Sequence, residues 1–143
     1  MATNKAFETP LKLTLAAPSG VTITSGEPIL FGKGTHAIPG VAIEAAASTN
    51  PPYDPNSGFL GFDFSGGVFV PVTASTLASP SAGAAVKVGD PLFLAGGTFD
   101  PLTGITYGGT VCTDSTGDYY GLALVAIAAG ATATIPVLLK NAA

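Results

Sequence analysis

The sequence predicts an all-β fold: a small single-domain barrel-like or sandwich structure of about nine short strands, carrying long hairpin insertions. Three observations lead there. Nineteen Gly and twelve Pro are scattered through 143 residues and interrupt any helical period before it completes three turns. Between them lie apolar runs of strand length, bounded by turn residues, the pattern of antiparallel barrels and sandwiches. Finally, the phrase SGEPILFGKG at 25–34 returns as VGDPLFLAGG at 88–97, so one turn-and-strand phrase is written twice. The length suits a single domain that buries a core without staples.

Taken along the chain, residues 1–10 (MATNKAFETP) form a polar N-terminal arm, expected to order only against a neighbour. The β domain is expected over 11–143, with strands at 11–16, 21–24, 28–32, 41–45, 68–72, 91–95, 105–113, 122–128 and 132–139. The stretch 73–86 (TASTLASPSAGAAV) reads as an Ala/Ser linker or a single helical turn crossing between halves.

The repeat extends beyond its opening phrase. Gly26-Glu27-Pro28 and Gly89-Asp90-Pro91 each launch an apolar strand, GVAIEAA at 40–46 is echoed by GLALVAIAA at 121–129, and VFVPV at 68–72 by ATIPV at 133–137. Two related β units, about 21–73 and 86–139, are therefore expected. The chemistry of the repeated turn is simple: Gly permits a sharp reversal, the acid stays solvated, and Pro opens a strand where its missing N–H costs no ladder bond. The insertions hold a further pair, Tyr53-Asp54-Pro55-Asn56-Ser57-Gly58 and Phe99-Asp100-Pro101-Leu102-Thr103-Gly104. Asp accepts from downstream amides, Pro presets the next φ and Gly supplies the positive φ, so both read as hairpin tips.

Composition narrows the function. Charged residues are only 10% of the chain against 47% hydrophobic, where roughly 25% charged is usual; a surface of Ser, Thr, Gly and Ala is suited to being covered. Five Lys, no Arg and nine carboxylates give a net charge of −4, with no basic stripe to neutralise phosphates, which argues against direct nucleic-acid binding. A single cysteine, Cys112, allows no intrachain disulfide or multi-Cys zinc cage and reads as a small buried hydrophobe. No run approaches the roughly 20 apolar residues of a membrane span, and the N-terminus lacks a signal-peptide h-region, so synthesis in the cytoplasm without export and no membrane partner are expected.

Catalytic chemistry finds few materials. His36, the one histidine, sits in a Gly/Pro loop without a G-x-S-x-G elbow elsewhere. Gly32-Lys33-Gly34-Thr35 lacks the spacing and following helix of a phosphate loop. Asp114-Ser115-Thr116-Gly117-Asp118 has too few oxygen ligands for a calcium loop and reads as a hairpin turn. Glu27, Glu44, Asp63 and Asp90 are accounted for as turn acids. Without Trp, an aromatic sugar platform would rest on Tyr119-Tyr120 or on Phe59, Phe62 and Phe64, and the Phe set reads as strand residues split between core and an oligomer contact. No enzyme activity, cofactor or metal is expected.

The ordered set MATNKAF, LTLAAPSGVTITSGEPILFGK, GVAIEAA, GGVFVPV, VKVGDPLFL and YYGLALVAIAAGATATIPVLL resembles the small capsid decoration, or cement, proteins of tailed bacteriophages. The resemblance covers the whole length, and its motifs are turns and strands. It implies a structural protein made in the host cytoplasm that binds the outer surface of the phage head. Its partners would be the major capsid protein and further copies of itself, a trimer being favoured over a dimer. Insertions 48–63 and 97–118 are longer than the usual family loops. Contact residues are expected in the arm, at Ala2, Thr3, Asn4, Lys5 and Phe7, and in the first insertion, at Tyr53, Phe59 and Phe62. The competing reading is a virion-displayed module for a host surface or carbohydrate, with ligand contacts within 97–120.

Overall fold

The computed structural model describes residues 12–18, 20–43, 59–64, 66–74 and 85–140. Within them run eleven strands: β1 (Lys12–Ala16), β2 (Pro28–Phe31), β3 (Ile38–Ala42), β4 (Phe59–Asp63), β5 (Gly67–Thr73), β6 (Pro91–Ala95), β7 (Thr98–Asp100), β8 (Ile105–Tyr107), β9 (Thr110–Cys112), β10 (Asp118–Ala123) and β11 (Thr132–Leu139). One 3-10 turn, Gly34–His36, joins β2 to β3. The strands form an open six-stranded sheet, ordered β1-β4-β3-β2-β8-β7, and a closed five-stranded barrel, β10-β11-β5-β9-β6. The fold is thus all-β, a single small domain of barrel and sheet. The named ladders are antiparallel except where β5 and β9 run parallel to close the barrel.

The duplicated phrase has a structural counterpart. Pro28 faces Val41 and Ile29 faces Gly40 in the sheet; Pro91 faces Leu122 and Leu92 faces Gly121 in the barrel. The turns match bond for bond. The Gly26 amide donates to the Ala42 carbonyl at 2.7 Å, and Gly89 to Ala123 at 2.7 Å. Glu27 and Asp90 both return a carboxylate oxygen to the amide three residues back, on Thr24 and Lys87. Gly26 and Gly89 sit at φ of 87° and 89°, where a side chain is strained.

Other parts depart from the linear reading. The strand expected at 68–72 to close the first half, observed as β5, pairs instead with β11 and β9 inside the barrel. Its counterpart in the sheet is β1: β1-β4-β3-β2 is the open counterpart of β5-β11-β10-β6. Residues 21–24 form no ladder strand, although Ile23 makes a bridge and is fully buried. β3 begins at Ile38 and takes in Pro39, β4 occupies what reads as insertion, and the run 105–113 is split by Gly108 and Gly109 into β8 and β9, one for each sheet. The region 122–128 contributes only its first two residues to a strand, with Ile127 bridging Val86 beyond it.

Two cores follow from this arrangement. The barrel interior holds Val68, Val70, Val72, Leu92, Leu94, Val111, Tyr120, Ile135, Val137 and Leu139, joined by Leu30, Ala37 and Val41 from the sheet side. A second cluster, Ile23, Ile29, Ala42, Phe62, Phe64 and Ile105, packs on the opposite face of the sheet. β2 therefore buries both faces, Ile29 to one core and Leu30 to the other, which is why its sequence reads as a continuous apolar run. Tyr120 ties the two together: its ring is buried and its hydroxyl donates to the Gly40 carbonyl at 2.8 Å.

Candidate functional site

Of the acids named in the sequence, Glu27, Asp90, Asp100 and Asp114 are engaged in local turns; Asp63 corrects the turn expectation, since the β4 ladders run through it and set it opposite Lys12 and Val41, and Glu44 lies outside the described residues. Asp100 closes the β7–β8 hairpin by accepting from the Leu102 amide at 3.2 Å and the Thr103 hydroxyl at 2.9 Å, and Gly104 turns the chain back at φ 79°. Asp114 accepts from the Thr116 amide at 3.0 Å and hydroxyl at 2.7 Å, and these bonds hold its carboxyl below the ordinary range. Glu27 uses its second oxygen to accept from Gly108 at 3.2 Å, pinning the β8–β9 crossover to the first turn. Such carboxylates hold backbone rather than await substrate.

His36 is exposed on the 3-10 turn, and Cys112 is fully buried within β9. Among the described residues no group of three His, Cys, Asp or Glu is arranged to hold a metal ion, and no helix is long and apolar enough to cross a membrane. Gly32-Lys33-Gly34-Thr35 leads into the three-residue 3-10 turn, and the Lys33 ammonium lies 4.9 Å from the centre of the Phe99 ring.

The expected contact residues divide. Ala2, Thr3, Asn4, Lys5, Phe7, Tyr53, Asp54, Pro55 and Gly58 lie outside the described residues. Phe59 begins β4. Phe62 corrects the contact expectation: it is fully buried, with its ring centre 6.3 Å from that of Phe64. It faces the second core because β4 pairs with both β1 and β3 and places Phe62 opposite Ala42. Phe62 is a core residue.

The surface best suited to a partner is the outer face of the barrel. Along β5 the burial alternates strictly, with Val68, Val70 and Val72 inward and Gly67, Phe69 and Pro71 outward. Phe69 is 68% exposed, and the register sets it opposite Pro136 while Pro71 stands opposite Thr134. The Leu124 amide donates to the Pro136 carbonyl at 3.1 Å, so Leu124, 44% exposed, continues the row. Toward the strand ends, the hydroxyls of Thr73 and Thr132 meet at 2.9 Å. The result is an apolar row framed by Thr and Ala, without a charged side chain in the outward positions of β5 or β11. Sequence reasoning did not single out Phe69, although the two-residue alternation of VFVPV opposes it to the three inward Val and was sufficient to find it.

Comparison with protein-family models, curated proteins and solved structures finds no match.

Proposed function

We propose that this chain is a structural protein that covers a repeating protein surface, as a decoration or cement protein on the head of a tailed bacteriophage. The observation that carries the reading is the outward row Phe69, Pro136 and Leu124 on the closed barrel. An exposed Phe backed by two Pro-bearing strands loses little conformational entropy when covered, and its Thr and Ala frame has no charge to desolvate. The resemblance of the ordered motifs to those of decoration proteins points to the partner: the major capsid protein, met on the outside of the shell, with other copies of this chain alongside in a homo-oligomer.

The mechanism is additive burial. A contact of standard size, about 1,600 Å², at roughly 25 cal/mol per apolar Å² remains favourable after association costs. Disassembly of the shell must expose that area again at every copy, so binding to the assembled state stabilises it by linkage. The experiment is co-sedimentation of the purified protein, unaltered and as Phe69→Ser, with expanded shells that lack it. The unaltered protein is expected to saturate at a fixed ratio to the shell subunit and the variant to bind at least about tenfold more weakly, the loss of roughly 1.4 kcal/mol. Equal binding of the two proteins would remove the barrel face from the account.

A further inference from the structure

We propose that the cleft between the 3-10 turn and the β6–β10 ladder is a saccharide-binding site for a neutral hexose unit. It is an open cleft of about 420 Å³ lined by Gly34, Thr35, Phe93, Asp118, Tyr119 and Lys140, together with Gly117, a volume within the usual range for small-molecule sites.

The two units of the fold depart from one another at this place. In the sheet, Leu30 pairs with Pro39 in an uninterrupted register and Leu30 is fully buried. In the barrel, Phe93, the counterpart of Leu30, pairs with Tyr119, and the register shifts between Tyr119 and Gly121. The extra residue, Tyr120, turns into the core and bonds Gly40. Phe93 and Tyr119 are left half-buried on the outside as a tilted pair, ring centres 5.7 Å apart. Bulges re-aim side chains in this way beside functional sites. Filling the core requires only Tyr120; the outward aromatic pair is additional apolar surface placed in a concavity.

The polar groups at the rim select the ligand class. Asp118 offers a carboxylate acceptor, Lys140 an ammonium donor and Thr35 a hydroxyl that serves as both. The Lys140 ammonium already donates to the Thr35 carbonyl at 3.1 Å, which fixes the rim across the cleft mouth. A hexose presents a face of C–H bonds and an edge of hydroxyls. The first packs on the aromatic rings, and the second exchanges hydrogen bonds with the carboxylate, ammonium and hydroxyl. One charge of each sign favours a neutral ligand over an anion. The inference does not rest on shell binding: the aromatic pair of the cleft stands on β6 and β10, whereas Phe69 and Pro136 of the outward row stand on β5 and β11.

The test is an amide-resolved NMR titration of the full chain with the methyl glycosides of glucose, galactose, mannose, rhamnose and N-acetylglucosamine, each to high millimolar concentration. At least one sugar is expected to shift the amides of residues 34, 35, 93, 117–119 and 140 saturably. Tyr119→Ala is expected to weaken that sugar about tenfold or more, with Asp118→Asn as a second, smaller reduction at a position outside the core. Both variants should keep the dispersed spectrum of the parent. Absence of shifts at these amides with all five sugars, or shifts undiminished in both variants, would overturn the proposal.

Discussion

Two glycines and one tyrosine carry most of the structural logic at the scale of single residues. A Cβ on Gly121 would fall onto the Leu138 carbonyl, and one on Gly40 would lie 2.6 Å from the Phe64 ring. This explains why the Gly-x-Ala strand keeps its Gly in both units: strands and rings approach where no side chain fits. Gly26 is different, since nothing lies within 4 Å of a Cβ there and only its φ of 87° resists substitution. Gly121→Ala is expected to lose about 3 kcal/mol and Gly26→Ala about 1 kcal/mol in denaturant unfolding, and the reverse order would contradict the close-approach argument. Burial pushes the Tyr120 phenol well above its ordinary value. The folded state therefore keeps a proton that the unfolded state releases above about pH 10, so stability falls by up to about 1.4 kcal/mol per pH unit beyond that point. Tyr120→Phe should be less stable at neutral pH by about 1 kcal/mol, from the lost bond to Gly40, yet should show a shallower decline between pH 10 and 11 than the parent.

Among the elements, β5 decides the architecture. Its chain position attaches it to the first unit, while its ladders to β11 and β9 place it in the second. A fragment beginning at residue 66 retains all five barrel strands; one beginning at residue 85 lacks β5 and leaves β9 and β11 with open edges. The first is expected to give a cooperative thermal transition by circular dichroism and the second none. A cooperative transition in both would show that β5 is dispensable to the barrel. The sequence made several elements readable, and the reasons are local. Pro28–Phe31 and Pro91–Ala95 follow complete turn signatures, and 132–139 alternates cleanly until its C-terminal end. β4 was hidden because Gly61 interrupts FLGFDF, and the start of β3 because Pro39 in a strand reads as loop. The exchange of β5, and the division of 105–112 between two sheets, arise from long-range pairing that no local pattern encodes.

For the molecule as a whole, the repeated phrase is the trace of a repeated ladder: the same pairing beside the turn, the same turn bonds and the same glycine conformations in an open sheet and a closed barrel, until the bulge at Tyr120 parts the two. That scaffold was readable in the motifs, as were the hairpin at Asp100 and the turn roles of Glu27, Asp90 and Asp114, because each depends on residues within a few positions. The outward row at Phe69 and the cleft at Tyr119 needed the three-dimensional register, and Phe62 needed knowledge of which face of β4 meets the core. A low-charge chain with an apolar row on a closed barrel fits a protein whose work is to be bound many times over a repeating shell. The measurement that tests this most directly is the melting temperature of expanded phage shells, followed with and without saturating amounts of this protein. A saturable rise in shell melting, reached at a fixed number of copies per shell subunit and diminished for Phe69→Ser, is the expected result; no bound copies, or bound copies that leave the melting unchanged, would contradict the cement role.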